Sequence, residues 1–219
     1  MIRINHTDVY GFDAALRGAR NPMNSWDLSD SYWDDRDEVT TEDGTTYINR
    51  IQTDYVIGPR DRKLLSSLAQ AGPDHGKFLR MITVTADILA PWYWWKEYDT
   101  YKIGTVANSC STMHKLTCKP FEVSDFSVDQ SDEINKSRME LLVSWLNEYR
   151  DLYIESGEKR YWWDMIQMLP SSYNQLRTVH VNYAVLKAMY HARKNHKLQE
   201  WHDFCAWVET LPYAELIIR

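Results

Sequence analysis

Between Met81 and Leu89 the chain alternates. Ile82, Val84, Ala86 and Ile88 are apolar, and Thr83, Thr85 and Asp87 between them are polar. Period two in β-branched residues predicts a strand with one face in a core. Elsewhere the period is nearer 3.6. Phe12 to Arg20 reads as a short helix, stopped at Asn21-Pro22 because proline disfavours helix in the residue before it. Gly58-Pro59 opens a second helix, with Leu64, Leu65 and Leu68 as its apolar stripe and Gly72-Pro73 as its stop. Pro91 begins a helix over Trp92 to Tyr101, and residues 104–118, small and polar, read as irregular. Ser131 is placed to cap a long helix to about Ser156. Its Leu142, Trp145, Leu146, Tyr149, Leu152 and Tyr153 recur three and four apart, and Gly157 ends it. A helix from about Lys159 to Met168 precedes Leu169-Pro170. A strand from Leu176 to Val181 leads into a helix from Asn182 to about Asn195, and a last helix runs from Leu198 to Thr210. Helices with a few strands spread between them predict an α+β fold.

A length of 219 residues suits a single domain, and 44% apolar with 26% charged residues is ordinary globular usage. Lys+Arg is 25 against 31 Asp+Glu, a net charge of -6, which disfavours a nucleic-acid polymer as partner. No run approaches the ~20 apolar residues of a membrane helix. The stretch from Met1 to His6 lacks the apolar core of a secretory signal. Cys110, Cys118 and Cys205 form no Cys-x-x-Cys pair, so reduced thiols and a cytoplasmic location are expected. Asn24 to Asp43 is polar and acidic, with Asp27, Asp30, Asp34, Asp35, Asp37 and Glu38. We read residues 24–57 as a loop or lid, and that acidic run as a solvated surface. Ten Trp and fourteen Tyr against five Phe give most rings a polar handle, which favours half-buried walls over a dry core.

Candidate chemistry is sparse. Eight glycines form no Gly-x-Gly-x-x-Gly or phosphate-cradling loop, so a conventional dinucleotide fold is not expected. His191, His196 and His202 are spaced by five and six, which does not share a helix face as i, i+4 does, so no metal is expected. Cys110 has no base beside it in sequence and reads as a structural thiol. Asn182 and Arg193, eleven residues apart, fall on one helix face roughly 16 Å apart, with Leu186 and Met189 between them. Such a face either lies along an elongated ligand or is a core stripe with polar ends. Periodicity alone favours the stripe.

Three patches resemble the flavin-dependent thymidylate synthases. Leu169-Pro170, Asn182 and Arg193 stand at that family's C-terminal spacings, followed by Gln199-Glu200-Trp201, and Tyr153-Ile154-Glu155-Ser156-Gly157 resembles the helix end before the Leu-Pro. Ala90-Pro91 matches an Ala-Pro, and His75, fifteen residues before Ala90, falls at the family's histidine. In the family's signature stretch Asn108 and Ser111 keep residue type and spacing, and Lys102 is the cation left of an Arg-His-Arg. Ser109 replaces a Glu and Met113 an Arg. The resemblance covers residues 58–210.

The resemblance implies an α+β domain with a small, mostly antiparallel sheet flanked by helices, assembled as a homotetramer. It implies FAD as cofactor, with methylenetetrahydrofolate and NADPH as co-substrates in the methylation of deoxyuridine monophosphate. Arg193 would be the catalytic group at the pyrimidine. His75, Lys102, Asn108 and Asn182 would hold the flavin nucleotide, and Glu97 and Ser111 would join Arg193 at the substrate. Glu97 sits where the family has a Gln, and a carboxylate prefers a different donor pattern from an amide. The family's phosphate-binding arginines read Met113 and Ile166 here, with Arg160, Lys159 or Arg177 as possible substitutes. Two further readings remain: a relative acting on another pyrimidine, and a non-catalytic protein that keeps the fold.

Overall fold

The computed structural model describes residues 1–34, 38–40, 44, 46–48 and 55–219. In chain order, β1 (Arg3–Tyr10) leads into α1 (Phe12–Arg20). Four short strands follow: β2 (Tyr32–Trp33), β3 (Glu38–Thr40), β4 (Thr46–Ile48) and β5 (Tyr55–Val56). Next come α2 (Pro59–Gln70), β6 (Thr83–Pro91), α3 (Trp92–Tyr98), β7 (Thr105–Ser109) and α4 (Thr112–Lys115). The chain continues through α5 (Glu133–Ser156), α6 (Lys159–Met168), β8 (Asn174–Asn182), α7 (Tyr183–Arg193), α8 (Gln199–Glu209) and α9 (Glu215–Ile218).

The main sheet is antiparallel throughout, in the order β1-β6-β8-β7. The alternation read from sequence orients its centre. Ile82, Val84, Ala86 and Ile88 are buried, while Thr83, Thr85 and Asp87 are half-exposed on the other face. Val84 pairs with Val181 and Ala86 with Val179, so both central strands send β-branched side chains into one core. Helices α3, α7 and α8 contribute Trp94, Trp95, Leu186, Met189, Trp201 and Phe204 to that core. A second core, built on Phe121, Phe126, Leu146, Met165 and Leu169, joins α5 to α6.

Several expectations change. Residues 104–118 are not irregular: they contain β7 and α4. β7 is an exposed edge strand paired only with β8, so no buried face imposes the alternation that betrays a strand. The helix after Pro91 ends at Tyr98, not Tyr101. Asp132 rather than Ser131 caps α5, its side chain accepting from the Asn135 N–H at 2.7 Å. Gly157 does end that helix, at φ +70°. The reading of 24–57 as a loop holds two paired strand fragments, β2 with β5 and β3 with β4. Asp35 and Asp37 of the acidic stretch, with residues 36, 41–43, 45 and 49–54, lie outside the described residues. Most of the largest buried side chains are also polar-handled rings, among them Trp94, Trp95, Trp201, Tyr98 and Tyr183. For these rings the dry core wins, and Trp94 Nε1 and Tyr98 Oη have no hydrogen-bond partner there.

One buried ion pair fastens the segment after α1. Asp61, in the first turn of α2, is wholly buried. Its Oδ1 accepts from Arg20 Nε at 2.8 Å and from Arg20 Nη2. Oδ2 accepts from the hydroxyls of Ser29 and Ser31, each at 2.6 Å, and from the N–H groups of Asp30 and Ser31, each at 3.1 Å. Burial raises the affinity of this carboxyl for a proton, but the two hydroxyls and the guanidinium outweigh it and hold the group below the usual carboxylate value.

Two outcomes follow for stability. Asp61→Ala leaves Arg20 buried without its counter-charge, and denaturant unfolding should record a loss of about 3–5 kcal/mol. Because the folded-state affinity is depressed, the contribution of Asp61 is complete above its unfolded value, near pH 4. It is lost as pH falls through the lower folded value, so a pH series of melting temperatures should fall off there more steeply than in the Ala variant.

Candidate functional site

Each of the two central strands runs straight into a helix. Pro91 ends β6 and its fixed φ starts α3, which carries Glu97 in its last turn. Asn182 ends β8 and caps α7, its Oδ1 accepting from the Val185 N–H at 3.0 Å, and α7 carries Arg193 in its last turn. A short connection then brings His196 and the start of α8, with Trp201, back to the same place.

Four side chains close around Glu97 and Arg193. Arg193 Nη1 donates to Glu97 Oε2 at 2.6 Å, and Arg193 Nε to the Tyr101 hydroxyl at 3.0 Å. Trp201 Nε1 donates to the same Oε2 at 3.1 Å, and His196 Nε2 stands 3.2 Å from it. The guanidinium lies over the Trp201 ring, 4.8 Å from its centroid, and 5.6 Å from that of Tyr101. His196 Nδ1 accepts from the Leu198 N–H at 3.2 Å, so a neutral ring carries its proton at Nε2, towards Glu97. Arg193 and Glu97 keep 18% and 32% of their side-chain surface exposed, so the pair is held yet open to a ligand.

Tyr101 also lines a hollow of 640 Å³ with Arg80, Thr100, Lys102, Ile103, Gly104, Asn182 and Val185. Gly104 has φ +81°, and a Cβ there would sit 2.8 Å from Asn182 Nδ2 and 3.0 Å from Val185 Cγ2. Glycine lets this turn lie against the cap of α7. With its Oδ1 on the helix, Asn182 keeps its amide N–H groups for the hollow. A second hollow, of 440 Å³, adjoins the first through Arg80, Ala184 and Ala188 and is mostly apolar. Lys187 borders it, and burial pushes its amine down.

The residues singled out by sequence thus divide. Arg193 and Glu97 meet, and Lys102 and Asn182 share the adjoining hollow. His75 is exposed at the start of the turn that runs into Arg80, between Pro73 and Gly76 of the second hollow. Asn108 and Ser111 are not brought to Arg193. Asn108 is exposed on β7 opposite Thr178, and the Ser111 hydroxyl accepts from the His114 N–H at 3.2 Å as the cap of α4. Leu186 and Met189 are fully buried, so the face of α7 between Asn182 and Arg193 is a core stripe and not a ligand track.

The substitute phosphate cations have other partners. Arg177 Nη1 donates to Asp99 at 2.8 Å over the Trp95 ring, and Arg160 pairs with Glu158 at 2.8 Å. His191 Nε2 lies 3.1 Å from the Ile217 carbonyl and His202 Nε2 2.6 Å from that of His196. Among the described residues no cluster of His, Cys, Asp and Glu could hold a metal, and no helix is long and apolar enough to cross a membrane. Sequence reasoning missed the roles of Tyr101, His196 and Trp201. All three lie close in sequence to Glu97 or Arg193, but only the turns after α3 and α7 direct them inward.

No protein-family model matches the chain, and no curated protein does. Solved structures match it along its length. The flavin-dependent thymidylate synthase ThyX from Helicobacter pylori, complexed with FAD and dUMP, is 18% identical with a TM-score of 0.64, over 99% of this chain and 96% of that one. A second structure of the same enzyme with FAD and dUMP gives 16% and 0.68, over 100% and 96%. The UMP/dUMP methylase PolB from Streptomyces cacaoi, bound with 5-Br dUMP, gives 15% and 0.64, over 98% and 93%. The chain therefore has the ThyX fold and resembles ThyX as a divergent relative.

The two duties of Asn182 are separable. Asn182→Ala removes the cap and should cost about 1 kcal/mol in urea unfolding, whereas Asn182→Asp keeps the accepting oxygen and should stay within about 0.5 kcal/mol of the parent.

Proposed function

We propose that the protein is a flavin-dependent methylase of a pyrimidine nucleotide, of the thymidylate synthase type. Deoxyuridine monophosphate is the first acceptor to consider, with methylenetetrahydrofolate as one-carbon donor, FAD as cofactor and NADPH as reductant. The observation that carries this reading is the Glu97–Arg193 pair, presented between two aromatic rings beside a hollow that holds an amide and two cations. The fold likeness to proteins crystallised with FAD and dUMP supports it.

The residues fit a flavin nucleotide. Two adjoining hollows suit an elongated ligand, Arg80 and Lys102 suit its diphosphate, and the free amide of Asn182 suits a ring carbonyl. His75 stands at the rim. When bound, the flavin would supply hydride and one-carbon transfer, which removes any need for a nucleophilic cysteine. Arg193 has the catalytic part: its guanidinium donates to a base oxygen and stabilises negative charge developing there. Trp201 and Tyr101 hold that guanidinium in place.

Asn108 and Ser111 belong to this scheme through assembly. In a homotetramer they would reach a site on another copy, Asn108 towards the flavin and Ser111 towards the substrate phosphate. A cytoplasmic location accords with the cysteine usage. The other reading, a different pyrimidine as acceptor, is favoured by one observation: Glu97 is a carboxylate, not an amide.

The purified protein should take up FAD, turn yellow and melt at a higher temperature with it, and it should release tritium from a 5-tritiated pyrimidine monophosphate. Arg193→Ala should retain FAD and lose about a hundredfold in turnover. Colourless protein with no thermal shift would sink the proposal.

A further inference from the structure

We propose that Glu97 selects a 4-aminopyrimidine, so that the base entering this site is cytosine rather than uracil. The inference rests on the reading of the site as one for a pyrimidine nucleotide and names the base.

The argument is a count of donors and acceptors. Oε2 of Glu97 already faces three nitrogens, those of Arg193, Trp201 and His196 at 2.6, 3.1 and 3.2 Å. Oε1 has no partner among the described residues and is the acceptor left for a ligand. Arg193 gives Nε to Tyr101 and one Nη1 hydrogen to Glu97, so Nη2 and the second Nη1 hydrogen remain. Trp201 has a single N–H and His196, as its Nδ1 contact sets it, a single one; both face Oε2. The edge offered to a base is therefore one acceptor at the end, followed by two donors on one side.

Cytosine presents the complement in order: its 4-amino group gives to Oε1, and N3 and O2 accept from the guanidinium. Uracil presents an acceptor, a donor and an acceptor. With its N3–H on Oε1, one carbonyl meets Arg193 and the other has no free donor, and an acceptor buried without a partner costs binding. Adenine matches the first two positions but offers a C–H in place of the third.

The test is calorimetric titration of the full chain loaded with FAD, using deoxycytidine and deoxyuridine monophosphates, on the parent and on Glu97→Gln. The parent should bind the cytosine nucleotide about tenfold more tightly, and Glu97→Gln should abolish or reverse that order. Tritium release from the two 5-tritiated nucleotides should rank the same way. Equal or tighter binding of the uracil nucleotide by the parent overturns the inference and leaves the methylase reading standing. An unchanged preference in Glu97→Gln overturns the role of Glu97. Flavin-loaded protein that binds neither nucleotide overturns both readings. The parent comparison needs no variant, so it decides even where Glu97→Gln does not fold.

Discussion

The antiparallel register of β6 and β8 is the constraint on which the site depends. Nine residues pair in sequence, from Thr83 with Asn182 to Pro91 with Asn174. The strand ends that give rise to α3 and α7 therefore lie at opposite ends of the ladder. At roughly 3.4 Å per residue the ladder is about 27 Å long, and at 1.5 Å per residue the seven residues of α3 and eleven of α7 together span about 27 Å. Two helices that set out from opposite ends thus bring their last turns together. A slip of two residues in register would part Glu97 from Arg193 by about 7 Å.

Bringing two helix C-termini together concentrates partial negative charge there. Arg193 is well placed in that field and Glu97 is not. The nitrogens of Arg193, Trp201 and His196 on Oε2 offset this, and they explain why aromatic and cationic side chains crowd the spot. Below it, Trp94 packs against Trp95, Trp201 and Phe204, with ring centroids 4.8, 4.9 and 5.8 Å away. The tryptophan-rich composition supplies, in large part, a stiff floor under the pair.

Where burial imposes a period, the sequence is easy to read: α1 and α6 have the expected bounds, β6 and α7 are close, and only β7, lacking a buried face, was overlooked. Caps are legible to within a residue, as Asp132 and Ser131 illustrate. The buried Arg20–Asp61 clamp is not legible at all, since an acid in the first turn of a helix is ordinary and its partner lies 41 residues away. At the site, Arg193 and Asn182 carry a spacing that can be recognised, and Glu97 follows from its distance to Pro91. That Glu97 touches Arg193 across 96 residues depends on strand register, which residue patterns do not state. Asn108 and Ser111 stand apart because spacing along β7 and α4 sets their distance from each other and not from α7.

Asn182 serves the helix with its oxygen and the hollow with its nitrogen. Folding asks only for an accepting atom, which aspartate, serine or threonine also provides. Ligand binding asks for the amide. The position can therefore drift to another capping residue with the scaffold intact and the cofactor hold lost. In this architecture the parts that make the fold and the parts that make the chemistry can wear at different rates, even within one side chain.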